Sequence, residues 1–232
     1  MKESIAIITA RGGSKRIPRK NIKDFCGKPI ISYSIEAALG SQCFDEVMVS
    51  TDDEEIAALS VTLGAKVPFL RSPESSSDFA STVDALLDVL QAYQRLGRGF
   101  RYLCCIYPTA PFVTAQKLRK AMALLADVHA YSVIPVVAFS FPPQRSFILK
   151  DGAIHIAHPE WFSCRSQDLE TQYHDCGQYY CCDVQQFLEC KSLIGSKTLP
   201  ILTPEAEVQD IDTLEDWKLA EMKYRLLHTE IV

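Results

Sequence analysis

Two parts of this 232-residue chain concentrate groups suited to polyphosphate chemistry. The first is Arg11-Gly12-Gly13-Ser14-Lys15-Arg16-Ile17-Pro18-Arg19-Lys20-Asn21, in which five basic residues surround and follow a glycine pair. Positions 11 to 28 hold seven of the chain's 24 Lys and Arg against a single acid, Asp24. Glycine lets backbone N–H groups come close to an anion, and Lys and Arg add charge-assisted hydrogen bonds, so the segment reads as a triphosphate cradle. Its spacing is neither G-x-G-x-x-G nor that of a Walker loop. A basic run is usually a solvated loop; its place directly behind an apolar strand-like run, Ile5 to Ala10, favours the anion reading.

The second part is Gln209-Asp210-Ile211-Asp212, whose carboxylates at i and i+2 point to one face of an extended backbone. Hard oxygen ligands suit Mg²⁺, which takes one or two carboxylates and completes its shell from water and substrate phosphates. Asp212-Thr213-Leu214-Glu215 is equally a capping box that would start the last helix at Asp212, and the residues alone leave the two readings level. Between these parts, Arg71 could meet a phosphate or a base, with Asp78, Ser81 and Thr82 following it, and Tyr107-Pro108-Thr109-Ala110-Pro111 closes another strand-like run. His174-Asp175 invites a catalytic-pair reading, but neighbours on a strand face opposite ways, and no nucleophile elbow accompanies them.

These groups need a scaffold, and the hydrophobic pattern supplies one. Ile5-Ala10, Val47-Ser50, Lys66-Leu70, Tyr102-Tyr107 and Ala130-Val136 read as strands. Between them Ile30-Gly40, Glu54-Leu63, Ser81-Leu96 and Ala115-Ala126 carry apolar residues at helical spacing, with Gly40, Gly64 and Gly97 as candidate C-caps. The alternation predicts an α/β fold: a Rossmann-like open, mostly parallel sheet with helices on both faces, whose ligands gather beyond the carboxyl ends of the strands. From Phe139 to Asp183 the rhythm breaks into Pro142-Pro143, Asp151-Gly152 and His158-Pro159 among scattered aromatics. The expected organisation is a nucleotide-binding domain over 1–138 and 184–232, with an inserted lobe over 139–183. The end returns to a strand at Leu199-Leu202 and a helix at Thr213-Leu227.

Composition narrows the function classes. Hydrophobic residues make up 47% and charged residues 23%, a globular balance that argues against disorder. A net charge of -5 argues against a nucleic-acid-binding surface across the whole chain. No apolar run approaches the ~18 residues of a membrane span, and no secretory leader is expected. The nine cysteines contain no C-x-x-C and match no zinc or disulfide framework, so a reducing, cytoplasmic setting is expected.

Taken together, Ala10 to Lys15, Lys20-Asn21, Arg71 to Thr82, the Tyr107 loop and Gln209 to Thr213 resemble the CMP-sugar-acid synthetases, which activate sialic, legionaminic, pseudaminic and deoxyoctulosonic acids. The resemblance covers nearly the whole chain. It implies that Arg11, Gly12, Gly13, Ser14, Lys15 and Lys20 bind the triphosphate of CTP. It further implies that Asn21, Arg71 and Thr82 help hold the cytidine, and that Asp210 and Asp212 carry Mg²⁺; catalysis would rest on Arg11, Lys15, Lys20 and Asp210. Arg165-Ser166-Gln167-Asp168-Leu169, Tyr173-His174-Asp175 and the tail from Glu207 to Asp216 resemble the pseudaminic acid branch. Tyr107 and His174 stand where the sialic branch usually has Gln and Arg. Tyr107, Arg165, Gln167 and His174 are therefore the implied contacts to an acidic nine-carbon sugar, with Arg145 a further cation. In such a family the inserted lobe reaches a neighbouring subunit, so a homodimer is implied. The alternatives are another acidic sugar as acceptor, a non-catalytic nucleotide-binding regulator, and a dinucleotide oxidoreductase, the last weakened by the missing G-x-G-x-x-G.

Overall fold

The computed structural model describes residues 3–76 and 80–228. In chain order the elements are β1 (Ser4–Thr9), the short pair β2 (Asp24–Phe25) and β3 (Lys28–Pro29), α1 (Ile30–Ser41), β4 (Glu46–Ser50), α2 (Glu54–Thr62), α3 (Pro73–Ser76), α4 (Thr82–Arg95) and β5 (Tyr102–Ile106). The second half runs α5 (Ala115–Asp127), β6 (Ser132–Ala138), β7 (Phe147–Lys150), β8 (Ala153–Ile156), β9 (Tyr173–Asp175), β10 (Tyr179–Asp183), α6 (Val184–Cys190), β11 (Thr198–Leu202) and α7 (Leu214–His228).

The main sheet has the order β11-β6-β10-β5-β1-β4, with β9 pairing β6. β1 is parallel to β4 and β5, and β6 is parallel to β11; β10 runs antiparallel between β5 and β6. The fully buried β1 shows why helices must cover both faces. Ala6 and Ile8 pack with Ile31 and Ile35 of α1 and Leu118 of α5, while Ile5 and Ile7 pack with Leu86 and Val89 of α4 and Phe187 of α6. The open α/β architecture expected from the alternation is the one observed. Chain direction reverses beside β1: α1 leads out to β4 on one side, and α2 with α4 leads back to β5 on the other. A crevice opens at such a switch point.

Three local expectations are corrected. Lys66-Leu70 makes a single bridge to Met48 and no strand, because Pro68 has no N–H to continue the ladder. Gly40 lies inside α1, and the left-handed cap is Gln42 at φ 57°, whereas Gly64 and Gly97 do take positive φ after α2 and α4. β10, read from sequence as part of the lobe, is a buried strand of the main sheet, paired with Tyr102–Ile106. The segment that stands off that sheet carries the hairpin β7–β8, whose strand residues are all exposed. Among the described residues no helix is long and apolar enough to cross a membrane.

Candidate active site

The loop leaving β1 is shaped by its neighbours before any ligand is considered. The Gly12 N–H donates to Asp52 Oδ1 at 2.9 Å, and a Cβ on Gly12 would stand 2.8 Å from Asp53 Oδ2. Glycine is therefore demanded here by close packing against the turn that starts α2, and its N–H is already committed. Ser14 donates its N–H to the Gly12 carbonyl at 3.0 Å, and nothing lies within 4 Å of a Cβ built on Gly13. At the far end of the loop, the buried Asn21 donates from Nδ2 to the Arg11 carbonyl at 2.8 Å, fastening the loop's two ends together.

This loop forms one wall of a cleft of about 510 Å³ to which Arg11, Ser14, Lys15, Arg16, Lys20 and Asn21 all contribute. The opposite wall comes from Arg71 and from the start of α4, with Ala80, Thr82 and Ala85. Ser81 caps that helix through a reciprocal pair with Asp84, which fixes Thr82 as its first residue. Arg71 is 9% exposed and donates from Nε to Ser50 Oγ at 3.0 Å and from Nη2 to the Ser50 carbonyl at 2.7 Å. Burial lowers its pKa from the usual arginine value, with the nearby charge of Asp52 opposing. Asp78, grouped with Arg71 in the sequence, lies outside the described residues. Thr9 and Tyr107 form the floor at the ends of β1 and β5, the switch point itself.

The acidic pair divides. Asp212 stands at the rim of the cleft, within 2.9 Å of Arg16 Nη1 and 3.7 Å of Lys20 Nζ. It does not cap α7: Thr213 Oγ1 accepts the Asp216 N–H at 3.2 Å, and Asp216 Oδ2 accepts the Thr213 N–H at 2.8 Å. The capping box is thus one residue further on, and the Asp212 carboxylate is released from it. Lys20 also donates to the Ile211 carbonyl at 2.6 Å, so the first loop grips the acidic segment directly. Asp210 lines an adjoining hollow with His174, Ser140 and Lys223. Its carboxyl faces solvent, yet protein crowding, then the charge of Asp212, raises its pKa above the ordinary aspartate value, against the pull of Lys20. A divalent cation would relieve that repulsion. Among the described residues no group of three or more His, Cys, Asp or Glu is arranged to hold a metal, so a cation here would need oxygen ligands from its substrate.

The residues proposed from sequence for the acceptor separate as well. Tyr107 faces the cleft, and its hydroxyl lies 3.2 Å from Thr82 Oγ1. His174 packs at a tilt against Phe139 with ring centroids 4.7 Å apart and faces the Asp210 hollow. Arg165 and Gln167 are exposed on the lobe and line neither the cleft nor the hollow of their own chain. Arg145 stays within the lobe, donating to Ser166 Oγ at 3.0 Å. Sequence reasoning left Arg16 out of the site; its only signal was membership of the basic run. Tyr180, which packs behind Tyr107, gave none, and Asp175 stood out only as the neighbour of His174.

A basic cleft at a switch point, lined by Arg11, Lys15, Arg16, Lys20 and Arg71 and bordered by Asp212, suits a nucleoside triphosphate. A family model for cytidylyltransferases matches residues 5–145. The chain belongs to the cytidylyltransferase family. The matched segment holds the first loop, Arg71, Thr82 and Tyr107. A pseudaminic acid cytidylyltransferase of Campylobacter jejuni is 38% identical over 227 residues, covering 97% of this chain and 98% of that protein. A CMP-N,N'-diacetyllegionaminic acid synthase of Legionella pneumophila is 35% identical over 237 residues, covering 98% and 99%. Among solved structures, a CMP:2-keto-3-deoxy-manno-octonic acid synthetase complexed with CTP superimposes with a TM-score of 0.69 at 17% identity, over 97% of this chain and 98% of that one. That likeness establishes the shared fold. The protein is an enzyme of the nucleotidyltransferase type.

Proposed function

We propose that the protein transfers CMP from CTP to the anomeric hydroxyl of pseudaminic acid and releases pyrophosphate. The observation that carries the reading is the cleft itself. Arg11, Lys15, Arg16, Lys20 and Arg71 line it together with Thr82, and Asp212 borders it, in a chain that aligns end to end with the Campylobacter jejuni enzyme. In the proposed reaction the anomeric oxygen attacks the α-phosphorus as the bond to pyrophosphate breaks, and the hydroxyl proton leaves to solvent or to the departing phosphate. Such transfers are catalysed chiefly by positioning and by neutralising charge.

The basic lining supplies the neutralisation. Arg11, Lys15 and Lys20 offer donors to the β- and γ-phosphates, and Arg16 joins them once a ligand competes for its bond to Asp212. Asp210 and Asp212 would hold Mg²⁺, with phosphate oxygens completing its shell. When bound, it would polarise the α-phosphate and favour ionisation of the attacking hydroxyl. The acidic sugar would lie towards the hollow, between Tyr107 and His174.

The homodimer belongs to the same proposal. The hairpin β7–β8 exposes Phe147, Ile148, Leu149 and Ile154, and Phe141 before it is exposed as well, apolar side chains that a second copy would cover. A second copy covering it would bring Arg165 and Gln167 to a cleft not their own. The deciding experiment incubates the purified protein with CTP, Mg²⁺ and pseudaminic, sialic or legionaminic acid in turn, following pyrophosphate and confirming the CMP-sugar by mass. Release with pseudaminic acid alone is expected. Release with another acid only would correct the acceptor, and release with none would end the catalytic reading. Light scattering should give twice the chain mass.

A further inference from the structure

Two of the nine cysteines face each other across the middle of the sheet. Cys104 of β5 and Cys181 of β10 are register partners, both fully buried in the cluster beneath α1 and α5. Their sulfurs are 3.0 Å apart, inside van der Waals contact, with Cys181 Sγ donating to Cys104 Sγ. Partners on antiparallel strands alternate between hydrogen-bonded pairs and closer pairs that share no hydrogen bond. The Tyr107 N–H sets the phase by donating to the Gln178 carbonyl at 2.9 Å, so the bonded pairs are Tyr107 with Gln178, Cys105 with Tyr180 and Leu103 with Cys182. Cys104 and Cys181 fall between them. The other edge of β10 agrees: the Asp183 N–H donates to the Tyr131 carbonyl at 3.1 Å, and Cys181, two residues earlier, is paired with Val133 of β6.

A close pair holds its Cα atoms about 4.5 Å apart, within the roughly 4.4–6.8 Å that a disulfide spans. The same two strands carry a built-in contrast on their opposite face. Cys105 and Cys182 are diagonal neighbours there, at a spacing of about 7–8 Å that a disulfide does not bridge. Burial holds the Cys104 thiol well above its ordinary pKa, and the bond from Cys181 adds to this, so thiolate is scarce and oxidation near neutral pH is slow.

We propose that Cys104 and Cys181 are a latent redox staple, which a two-electron oxidant closes into a disulfide that ties β10 to the strand beneath the cleft. The link encloses residues 105–180, and with them α5, β6 and the hairpin β7–β8, so it fastens together the two ends of the segment that carries the lobe. With diamide as the oxidant, one sulfur adds to its N=N bond and the partner sulfur displaces it. Two S–H bonds break, one S–S bond forms, and both protons and both electrons leave on the hydrazine.

The test incubates the full chain with diamide at mildly alkaline pH, once in buffer and once in urea below the unfolding midpoint, where the sheet opens often enough to admit the reagent. Remaining thiols are then alkylated, and tandem mass spectrometry of the digest locates the link. Cys104 joined to Cys181 is expected, with Cys105 and Cys182 alkylated. The oxidised protein should melt about 5–15 °C above the reduced form, because closing so long a loop restricts the unfolded chain, and dithiothreitol should remove that gain. Cys181→Ala should lose both the link and the gain, whereas Cys182→Ala should keep them; if either variant does not fold, the wild-type map decides alone. Alkylated thiols at 104 and 181 under both conditions, a link through Cys105 or Cys182 instead, or an oxidised form that melts no higher than the reduced one overturns the staple.

Discussion

Asp212 and Thr213 are adjacent, yet Thr213 caps α7 while Asp212 borders the cleft, so under the proposed function a pair of substitutions can divide stability from activity. Thr213→Ala removes the side chain that accepts the Asp216 N–H at 3.2 Å and gives its own proton to Asp216 Oδ2 at 2.8 Å. Losing a helix N-cap costs about 1 kcal/mol, which for a domain of this size lowers Tm by about 2–4 °C. Asp212→Asn forfeits ion pairs to Arg16 and Lys20 at 2.9 and 3.7 Å. The Asp212 and Arg16 side chains are 39% and 67% exposed, and pairs that exposed are worth roughly 0–1 kcal/mol. Its expected loss is in turnover: a metal ligand and charge-placing group contributes several kcal/mol to the transition state, so pyrophosphate release at saturating CTP and Mg²⁺ should fall at least about a hundredfold. Thermal unfolding and turnover measured on the same preparations settle the matter. If Asp212→Asn melted as early as Thr213→Ala while turning over like wild type, Asp212 would be the cap, and the acidic rim would have no catalytic part.

Three further expectations concern neighbouring features. Gly12→Ala should destabilise by about 1–3 kcal/mol in denaturant unfolding, because Asp53 caps α2 and binds Arg19 and cannot give way, whereas Gly13→Ala should stay within about 0.5 kcal/mol of wild type. Glu46→Ala should cost about 3 kcal/mol by the same measurement, since this fully buried carboxylate accepts from Tyr93 at 2.7 Å and pairs with Arg98 and Lys66. Asp210 has a folded-state pKa raised above its ordinary value of 3.8, so as pH climbs through that window the unfolded chain releases its proton first and folding loses support. Asp210→Asn should therefore melt no lower than wild type at neutral pH without metal, and Mg²⁺ should raise the Tm of wild type but not of this variant.

The parts of the fold legible in the sequence are those whose pattern is decided locally. β1, β4 and β5 are apolar runs with turn residues at their ends, and α4 shows in the helical spacing of the apolar residues from Ser81 to Leu96 with Gly97 behind them. β10 was hidden because its partners are remote: Tyr179–Asp183 is inserted antiparallel between β5 and β6, and no local feature of five apolar and polar residues names those neighbours. The sequence leaves the role of Asp212 open because Asp212 with Glu215 and Thr213 with Asp216 fit the same capping-box spacing, and only the backbone's point of entry chooses between them. Of the site, the groups on the β1 loop, with Arg71, Thr82, Tyr107 and Asp212, come together because strand ends and helix starts place them. Arg165 and Gln167 are exposed, and in the proposed dimer their surroundings would come from a second copy.

The docking of α7 carries the acidic rim to the first loop, and this explains why its carboxylates come from the far end of the sequence. Trp217 and Tyr224 of α7 pack edge-on against Phe25, with centroids 5.5 and 5.6 Å away, and Ile211 between the two aspartates is itself buried in that cluster. Burying Ile211 turns its neighbours Asp210 and Asp212 outwards, and Lys20, five residues before Phe25, grips the intervening carbonyl. The aromatic cluster thus sets the spacing between the basic loop and the acidic pair. Asp212 is ion-paired to Arg16 and Lys20, but apolar burial fixes the backbone and leaves the carboxylates at the surface, where an incoming ligand can compete for those pairs. That is the condition a site must meet if its aspartates are to be shared between its own lysine and arginine and an incoming metal-bound triphosphate.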